Sequence, residues 1–147
     1  MTTCMSGKEP MNKILIDTNI LVYLIDEDSK FHHSSKTLIQ NPDHQLYTTS
    51  KNLAEFLVVL TRSGEVSVSI NDALALLDDL LRSFHILYPS KYSANIFKEL
   101  LFKYKPHGLK IHDFEIVSIG LANGVHKVAT INKDDFKNIN EIELIDF

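Results

Sequence analysis

The sequence predicts an α/β protein with a central, mainly parallel β-sheet covered by helices on both faces. Short apolar runs typical of strands alternate with helical patterns from residue 12 to the end of the chain. Such alternation favours parallel strands joined by helical crossovers. The length of 147 residues is typical of one domain with a sizeable core. We therefore expect a single domain over residues 11–147.

The first half of the chain contains strands that each lead into a helix. An apolar run at residues 14–16 ends at Asp17, and a helical run over residues 20–24 follows. The other elements expected here are a helix at 31–39, a strand at 45–49, a helix at 51–62 with Ser50 as its N-cap, a helix at 73–82 with a capping box at Ser69 and Asp72, and a strand at 84–87.

The second half of the chain repeats this alternation. A helix is expected at 93–104, and a second helix follows the break at residues 106–108 and ends at Gly124. In this second helix, Ile116, Val117 and Gly120 share one stripe with Asp113. The remaining elements are a strand at 127–131, a short helix at 132–136 and a final strand at 142–145.

The composition fits a globular protein without a membrane span. Hydrophobic residues make up 44% and charged residues 23% of the chain, and no apolar run approaches the ~18 residues that suggest a spanning helix. Residues 1–10 lack the apolar core of a signal peptide, so we expect an unfolded extension there and a cytoplasmic protein. Cys4 is the only cysteine, which excludes an internal disulfide and a thiolate metal site.

Asp17 lies at the carboxyl end of a buried strand, where open α/β sheets place their functional groups. A simpler explanation is that Asp17 caps the following helix. If Thr18 and Asn19 satisfy the start of that helix instead, Asp17 is free to face a cation. This division of roles is the prediction that we carry forward.

Glu55 is the one charged residue in the apolar run at residues 53–60. A helix that is apolar on nearly every side is buried, so we expect Glu55 to be at least partly buried. An unpaired buried carboxylate is costly, and a partner must compensate it. Lys51, four residues earlier, is the local candidate for an ion pair. A proton or a metal ion is the alternative.

Four acidic positions are expected to converge at one edge of the sheet, because right-handed crossovers bring the carboxyl ends of parallel strands together. They are Asp17, Glu55, Asp113 and either Asp134 or Asp135. Clustered carboxylates repel one another unless a cation joins them. Oxygen ligands without Cys favour Mg²⁺ or Mn²⁺ over Zn²⁺. The net charge of −4 would be about zero without these four acids, so the negative balance can be assigned to this site.

Residues 91–110 are basic, with five lysines and one glutamate. Such a stretch is either a solvated helix face or a phosphate-binding patch. The candidates for phosphate contacts are Lys98, Lys103, Lys105 and Lys110.

The acidic motifs, in this order and spacing, resemble those of PIN-domain ribonucleases, and most closely the VapC-type toxins of toxin–antitoxin pairs. They are Ile16-Asp17-Thr18-Asn19, Leu53-Ala54-Glu55-Phe56, Ile111-His112-Asp113 leading to Ala122-Asn123-Gly124, and Thr130-Ile131-Asn132-Lys133-Asp134-Asp135-Phe136. The resemblance implies a three-layer α/β/α sandwich and metal-dependent cleavage of RNA to a 5′-phosphate and a 3′-hydroxyl. It also implies a homodimer and a small antitoxin protein as partner.

The resemblance also implies roles for individual residues. Asp17, Glu55 and Asp113 match the first three acids of the family and, with Asp135, would hold one or two Mg²⁺ or Mn²⁺ ions. Many members carry an Asp where this chain has Asn132, so Asn132, Asp134 and Asp135 all remain candidates to complete the site. The small polar residues that would orient the acids are Thr18, Asn19, Thr130 and Asn132.

Two other functions remain open. A PIN-like module can bind RNA or protein without cutting it, and Asn132 favours this alternative. A phosphoryl-transfer domain could use Asp17 as its nucleophile. The motif Asp17-Thr18-Asn19 lacks the second Asp that haloacid-dehalogenase phosphatases place two residues later, which makes this the weaker alternative.

Overall fold

The structure, a computed structural model, describes residues 12–62, 64 and 67–147. In this part of the chain, five parallel strands form one sheet in the order β3-β2-β1-β4-β5. The strands are β1 (Asn12–Ile16), β2 (His44–Thr49), β3 (His85–Leu87), β4 (Lys127–Ala129) and β5 (Glu143–Leu144). The predicted parallel sheet is confirmed, whereas the extension predicted at residues 1–10 lies outside the described residues.

Helices cover both faces of the sheet. They are α1 (Thr18–Tyr23), α2 (His32–Gln40), α3 (Ser50–Thr61), α4 (Ile70–Ser83), α5 (Lys91–Tyr104), α6 (Lys110–Ala122) and α7 (Lys133–Phe136). Since successive strand residues point to opposite faces, β1 contributes to two cores. Ile14 and Ile16 pack with residues of α1, α3 and α4, and Leu15 packs with residues of α5 and α6. The three-layer α/β/α sandwich is therefore confirmed.

The start of α3 differs from the prediction by one residue. Thr49, rather than Ser50, is the N-cap. The Thr49 hydroxyl accepts a hydrogen bond from the Asn52 amide at 3.1 Å, and the Asn52 side-chain oxygen accepts one from the Thr49 amide at 3.2 Å. This reciprocal capping box satisfies two backbone donors at once, which places the end of β2 and the start of α3 against each other.

α6 packs closely on the sheet at Gly120. A β-carbon at this position would lie 3.0 Å from the Val125 carbonyl oxygen and 3.1 Å from a methyl group of Leu15. Gly124 ends the helix in a left-handed conformation, with a φ of 74°. The prediction that this helix ends at Gly124 is confirmed. Among the described helices, none combines the length and apolar character needed to span a membrane.

Candidate active site

The strand order reverses at β1, which has β2 on one side and β4 on the other. In open α/β sheets such a reversal leaves a crevice at the carboxyl ends of the strands. Asp17 directly follows β1, and Thr130 directly follows β4. β4 ends at Ala129, two residues before the end of the predicted strand at 127–131. Thr130 and Asn132 therefore belong to the loop at the crevice.

Asp17 is the most constrained acid of this crevice, with only 9% of its surface exposed. Its Oδ1 accepts from the Thr18 amide at 2.9 Å, and its Oδ2 accepts from the Thr130 hydroxyl at 2.7 Å. Asp17 is thus itself the N-cap of α1. The prediction that Thr18 and Asn19 take over the cap is wrong, because the Asp17 carboxylate can accept the capping bond and still line the crevice.

Asn52 links α3 to the first acid. It is fully buried, and its side-chain nitrogen lies 3.0 Å from the Thr18 hydroxyl oxygen and 3.4 Å from Asp17 Oδ1. The Thr18 hydroxyl in turn donates to Glu55 Oε1 at 3.0 Å. Sequence analysis missed Asn52. The available signal was an amide three residues after Thr49, the spacing of a capping box.

Glu55 is exposed, so the prediction of a buried carboxylate is wrong. The α3 residues that are buried include Leu53, Phe56 and Leu60, whereas Ala54 and Val58 lie on an exposed side of the helix. The apolar run covers more of the helix surface than the packing against α1 and α4 uses. Glu55 is held by the Thr18 hydroxyl rather than by burial.

Lys51 does not form the ion pair with Glu55 that was the local alternative. Its Nζ lies 2.8 Å from Glu115 Oε1 on α6. This pair joins the first turn of α3 to the first turns of α6, the two helices that carry Glu55 and Asp113.

Asp113 and Asp135 complete the group. Both are partly buried, and the charge of Asp135 acts on both Asp17 and Asp113. Asp134 instead points to the surface, where its carboxylate pairs with Lys137 at 3.2 Å. We name Asp17, Glu55, Asp113 and Asp135 the carboxylate cluster.

The cluster raises the pKa values of two of its members. Burial, together with the charges of Asp17, Asp135 and Glu55, raises the pKa of Asp113 to about 7. The charge of Lys110 acts in the opposite direction. Burial also raises the pKa of Asp17, against the hydrogen bonds from Thr130 and Thr18. Such shifts are typical of functional sites.

The small polar residues also join the loop after β4 to α1. The Thr130 hydroxyl accepts from the Asn132 amide at 3.1 Å while it donates to Asp17. Asn19 Oδ1 accepts from the Ile131 amide at 3.4 Å. Thr18, Asn19, Thr130 and Asn132 therefore all lie in the network around Asp17 or beside it.

The four predicted RNA-binding lysines are placed differently from one another. Lys110 opens α6, and its charge reaches Asp113. Lys98 is exposed on α5. Lys103 pairs with Glu141 at 2.8 Å, and Lys105 donates to the Phe102 carbonyl oxygen at 2.7 Å. Only Lys110 among the four is thus linked electrostatically to the cluster.

The cluster opens into a cleft of about 280 Å³ between α1, α3 and α6. It is lined by Asp17, Thr18, Asn19, Val22, Tyr23, Glu55, Val59, Arg62, Asp113 and Asn132. Sequence analysis also missed Tyr23, Val59 and Arg62 as cleft residues, because nothing in their local patterns indicates a site.

The donor set fits a divalent cation in its chemistry. The acids supply hard oxygen ligands. Burial and, to a smaller extent, the charges of the neighbouring acids raise the pKa values of Asp17 and Asp113, and a bound cation would offset both effects. Within the described residues, no three His, Cys, Asp or Glu side chains already form a metal-binding group. The fit therefore rests on charge and ligand type rather than on a preformed coordination shell.

The sequence matches the PIN domain over residues 14–142. The chain belongs to the PIN-domain family. No curated protein sequence matches the chain.

Solved structures similar to this PIN domain include several toxin–antitoxin proteins. VapBC2 from Rickettsia felis, bound to a promoter DNA fragment, superposes with a TM-score of 0.70 at 22% identity, covering 92% of this chain and 98% of that one. VapBC-1 from Haemophilus influenzae superposes with a TM-score of 0.69 at 20% identity, covering 91% of this chain and 97% of that one. VapC20 from Mycobacterium tuberculosis, a sarcin–ricin loop cleaving toxin, superposes with a TM-score of 0.66 at 15% identity, covering 83% of this chain and 92% of that one. At these identities the similarity establishes a shared fold.

Proposed function

We propose that this PIN domain is a divalent-metal-dependent endoribonuclease and the toxin of a toxin–antitoxin pair. The observation that carries this proposal is the convergence of four acids, from four separate segments, at the crevice beside β1 and β4. The similarity to VapBC proteins and to an RNA-cleaving toxin supports the same function.

The residues of the cluster have distinct roles in this mechanism. Asp17, Glu55, Asp113 and Asp135 would hold one or two Mg²⁺ or Mn²⁺ ions. A bound ion supplies Lewis acidity towards the RNA phosphate and lowers the pKa of water. Thr130 and the Thr18 amide orient the two oxygens of Asp17, and the Thr18 hydroxyl orients Glu55. In the metal-free protein the pKa of Asp113 is about 7, so binding of the ion near neutral pH would release a proton from its carboxylate. Asn132 lines the cleft as a neutral ligand or hydrogen-bond donor.

A cleavage assay on single-stranded RNA with Mg²⁺, with Mn²⁺ and with EDTA tests the proposal. We expect cleavage that EDTA abolishes and that the variants Asp17→Asn and Asp113→Asn lose while keeping the parent fold by circular dichroism. Asp134→Asn is the matched control, because Asp134 pairs with Lys137 at the surface. Parent-level cleavage by folded Asp17→Asn and Asp113→Asn variants would contradict the proposal.

A non-catalytic RNA- or protein-binding module is the second candidate function. Asn132 in the cleft favours it, because an amide adds no negative charge with which to attract a metal ion. RNA binding by a chain that cleaves nothing with either metal would support this alternative.

The proposed toxin also has partners. The solved neighbours include complexes described as VapBC and as a toxin–antitoxin complex, and we propose a small antitoxin protein and a homodimer for this chain. Light scattering on the purified chain tests the dimer. Copurification with the product of an adjacent short reading frame tests the antitoxin.

A further inference from the structure

The cleft extends beyond the carboxylate cluster along two helices. α1 and α3 follow β1 and β2, so both begin at the carboxyl edge of the sheet, and they pack against each other. Thr18 begins α1 and Glu55 lies in the second turn of α3. The cleft residues farthest along the two helices are Tyr23 and Arg62. With a rise of about 1.5 Å per residue, Glu55 and Arg62 are separated by about 10 Å along α3. Val22 and Val59 line the space between the two ends.

Arg62 places a permanent positive charge at the far end of this acidic cleft. It is the C-cap of α3, and its amide donates to the Val58 carbonyl oxygen at 3.0 Å. A surface arginine at a helix end can simply complement the helix dipole. Arg62, however, faces the same cavity as the acids. Its guanidinium has the planar, multi-donor geometry that matches a phosphate.

Tyr23 lines the same cleft as Arg62, and neighbouring residues fix its position. Its ring packs on Phe31 with the centroids 5.1 Å apart, and its carbonyl oxygen accepts a hydrogen bond from His32 Nδ1 at 2.8 Å. An aromatic ring and a cation that line one cleft are a combination that binds single-stranded nucleic acids, because bases stack on the ring and the cation binds a phosphate.

We infer that Arg62 and Tyr23 form a subsite for a nucleotide that flanks the scissile phosphate of single-stranded RNA. Arg62 binds the flanking phosphate, and Tyr23 stacks on the adjoining base. The subsite rests on the proposed ribonuclease function. It supplies what the carboxylate cluster alone lacks, because four acids repel the RNA backbone and an arginine about 10 Å away along the helix offsets that repulsion. Both residues therefore position the substrate and take no part in the bond-breaking chemistry.

Fluorescence anisotropy with a labelled single-stranded RNA oligomer tests the subsite on the full chain in EDTA, over a series of salt concentrations. We expect Arg62→Gln to raise Kd about tenfold, the effect of losing one charged hydrogen-bonded contact. We also expect it to reduce the slope of log K against log salt by about 0.7, the value for one phosphate on a single strand. Arg62→Lys should restore the slope with only part of the affinity, because it keeps the charge but loses the bidentate geometry.

Tyr23→Ala is expected to raise Kd about tenfold at every salt concentration, and Tyr23→Phe to bind like the parent, because stacking needs the ring and not the hydroxyl. In the cleavage assay both Arg62→Gln and Tyr23→Ala should raise KM more than they lower kcat. The chain provides matched controls in Arg82→Gln, since Arg82 pairs with Asp79 on α4, and in Tyr92→Ala, since Tyr92 is exposed on α5.

Two results are distinguishable. If the parent cleaves RNA but Arg62→Gln and Tyr23→Ala bind and cleave like Arg82→Gln and Tyr92→Ala, the subsite is refuted and the ribonuclease proposal stands. If the parent binds RNA with the Arg62 and Tyr23 dependence described but cleaves none, the RNA contacts of Arg62 and Tyr23 stand, whereas the ribonuclease proposal and the scissile phosphate fail. Thermal melts of all variants confirm that binding losses do not come from unfolding.

Discussion

Asp17 and Asp113 belong to the same carboxylate cluster, but the protein holds them in different ways. Both oxygens of Asp17 accept hydrogen bonds, from the Thr18 amide and from the Thr130 hydroxyl. Asp113 sits in the first turn of α6, and its pKa reflects burial and neighbouring charges rather than hydrogen bonds. These hydrogen bonds fix the Asp17 side of the cluster, which also includes Thr18, Thr130 and Asn52, without a bound ligand. On the Asp113 side, burial and repulsion from the other acids outweigh the charge of Lys110, so a proton or a cation stabilises this carboxylate.

The largest expected effect comes from Asp113→Asn, which changes activity and stability in opposite directions. Cleavage should fall at least about 100-fold, the scale of losing one electrostatic group at a reacting centre. The metal-free protein should gain about 1–2 kcal/mol at pH 8, less than the full pKa shift implies because the side chain is partly solvated. Cleavage rates and urea unfolding in EDTA measure the two effects.

The pH dependence of the metal-free protein follows from the same residue. The pKa of Asp113 is 3.8 when unfolded and about 7 in the folded protein, so between these values unfolding releases a proton. The contribution of Asp113 to stability should therefore fall as pH rises from about 4 to about 7 and stay level above. Asp113→Asn should remove this fall. Added Mg²⁺ should stabilise the parent increasingly across the same range and should not stabilise the variant. If the stability of the parent and of Asp113→Asn changed with pH in the same way, the pKa of Asp113 would not be raised in the folded protein.

On the Asp17 side, Asn52→Ala tests whether hydrogen bonding holds the first acid. Asn52 is fully buried and contacts Thr18, Thr49 and Asp17. Its loss should cost about 1–3 kcal/mol, because buried polar partners are left unsatisfied. Chemical denaturation measures this, and cleavage at saturating Mg²⁺ shows whether the misplaced Asp17 also lowers kcat. Asn71→Ala, at an exposed position of α4, should change stability by no more than about 0.5 kcal/mol. Equal effects of the two substitutions would refute the role of Asn52.

The two sides of the cluster were not equally predictable from sequence. The positions of Asp17 and Asp113 follow local patterns, a strand end and a helical stripe, so the sequence places both at the correct edge. The exposure of Glu55 and the contacts of Asn52 with Asp17 and Thr18 depend on how α3 lies between α1 and α4, which no local pattern reports. For the same reason an apolar run was mistaken for a buried helix. The cap of α1 was assigned wrongly because a carboxylate has enough acceptor sites to cap a helix and line a cleft together.

The smallest expected effect concerns the ion pair between Lys51 and Glu115, which joins the helices of the two sides. The side chains of Lys51 and Glu115 are 31% and 30% exposed, so solvent screens the attraction between their charges. A double-mutant cycle with Lys51→Met and Glu115→Gln should give a coupling energy of about 0.2–1 kcal/mol.

If the pair also fixes the distance between Glu55 and Asp113, each single variant should need more Mg²⁺ for half-maximal cleavage, while kcat at saturation changes little. The surface pair of Lys133 and Asp146 is the matched control, since it joins α7 to the C-terminal end of the chain. A Mg²⁺ requirement unchanged by Lys51→Met would mean that the packing of α3 and α6 in their separate cores is enough to fix the two sides of the cluster.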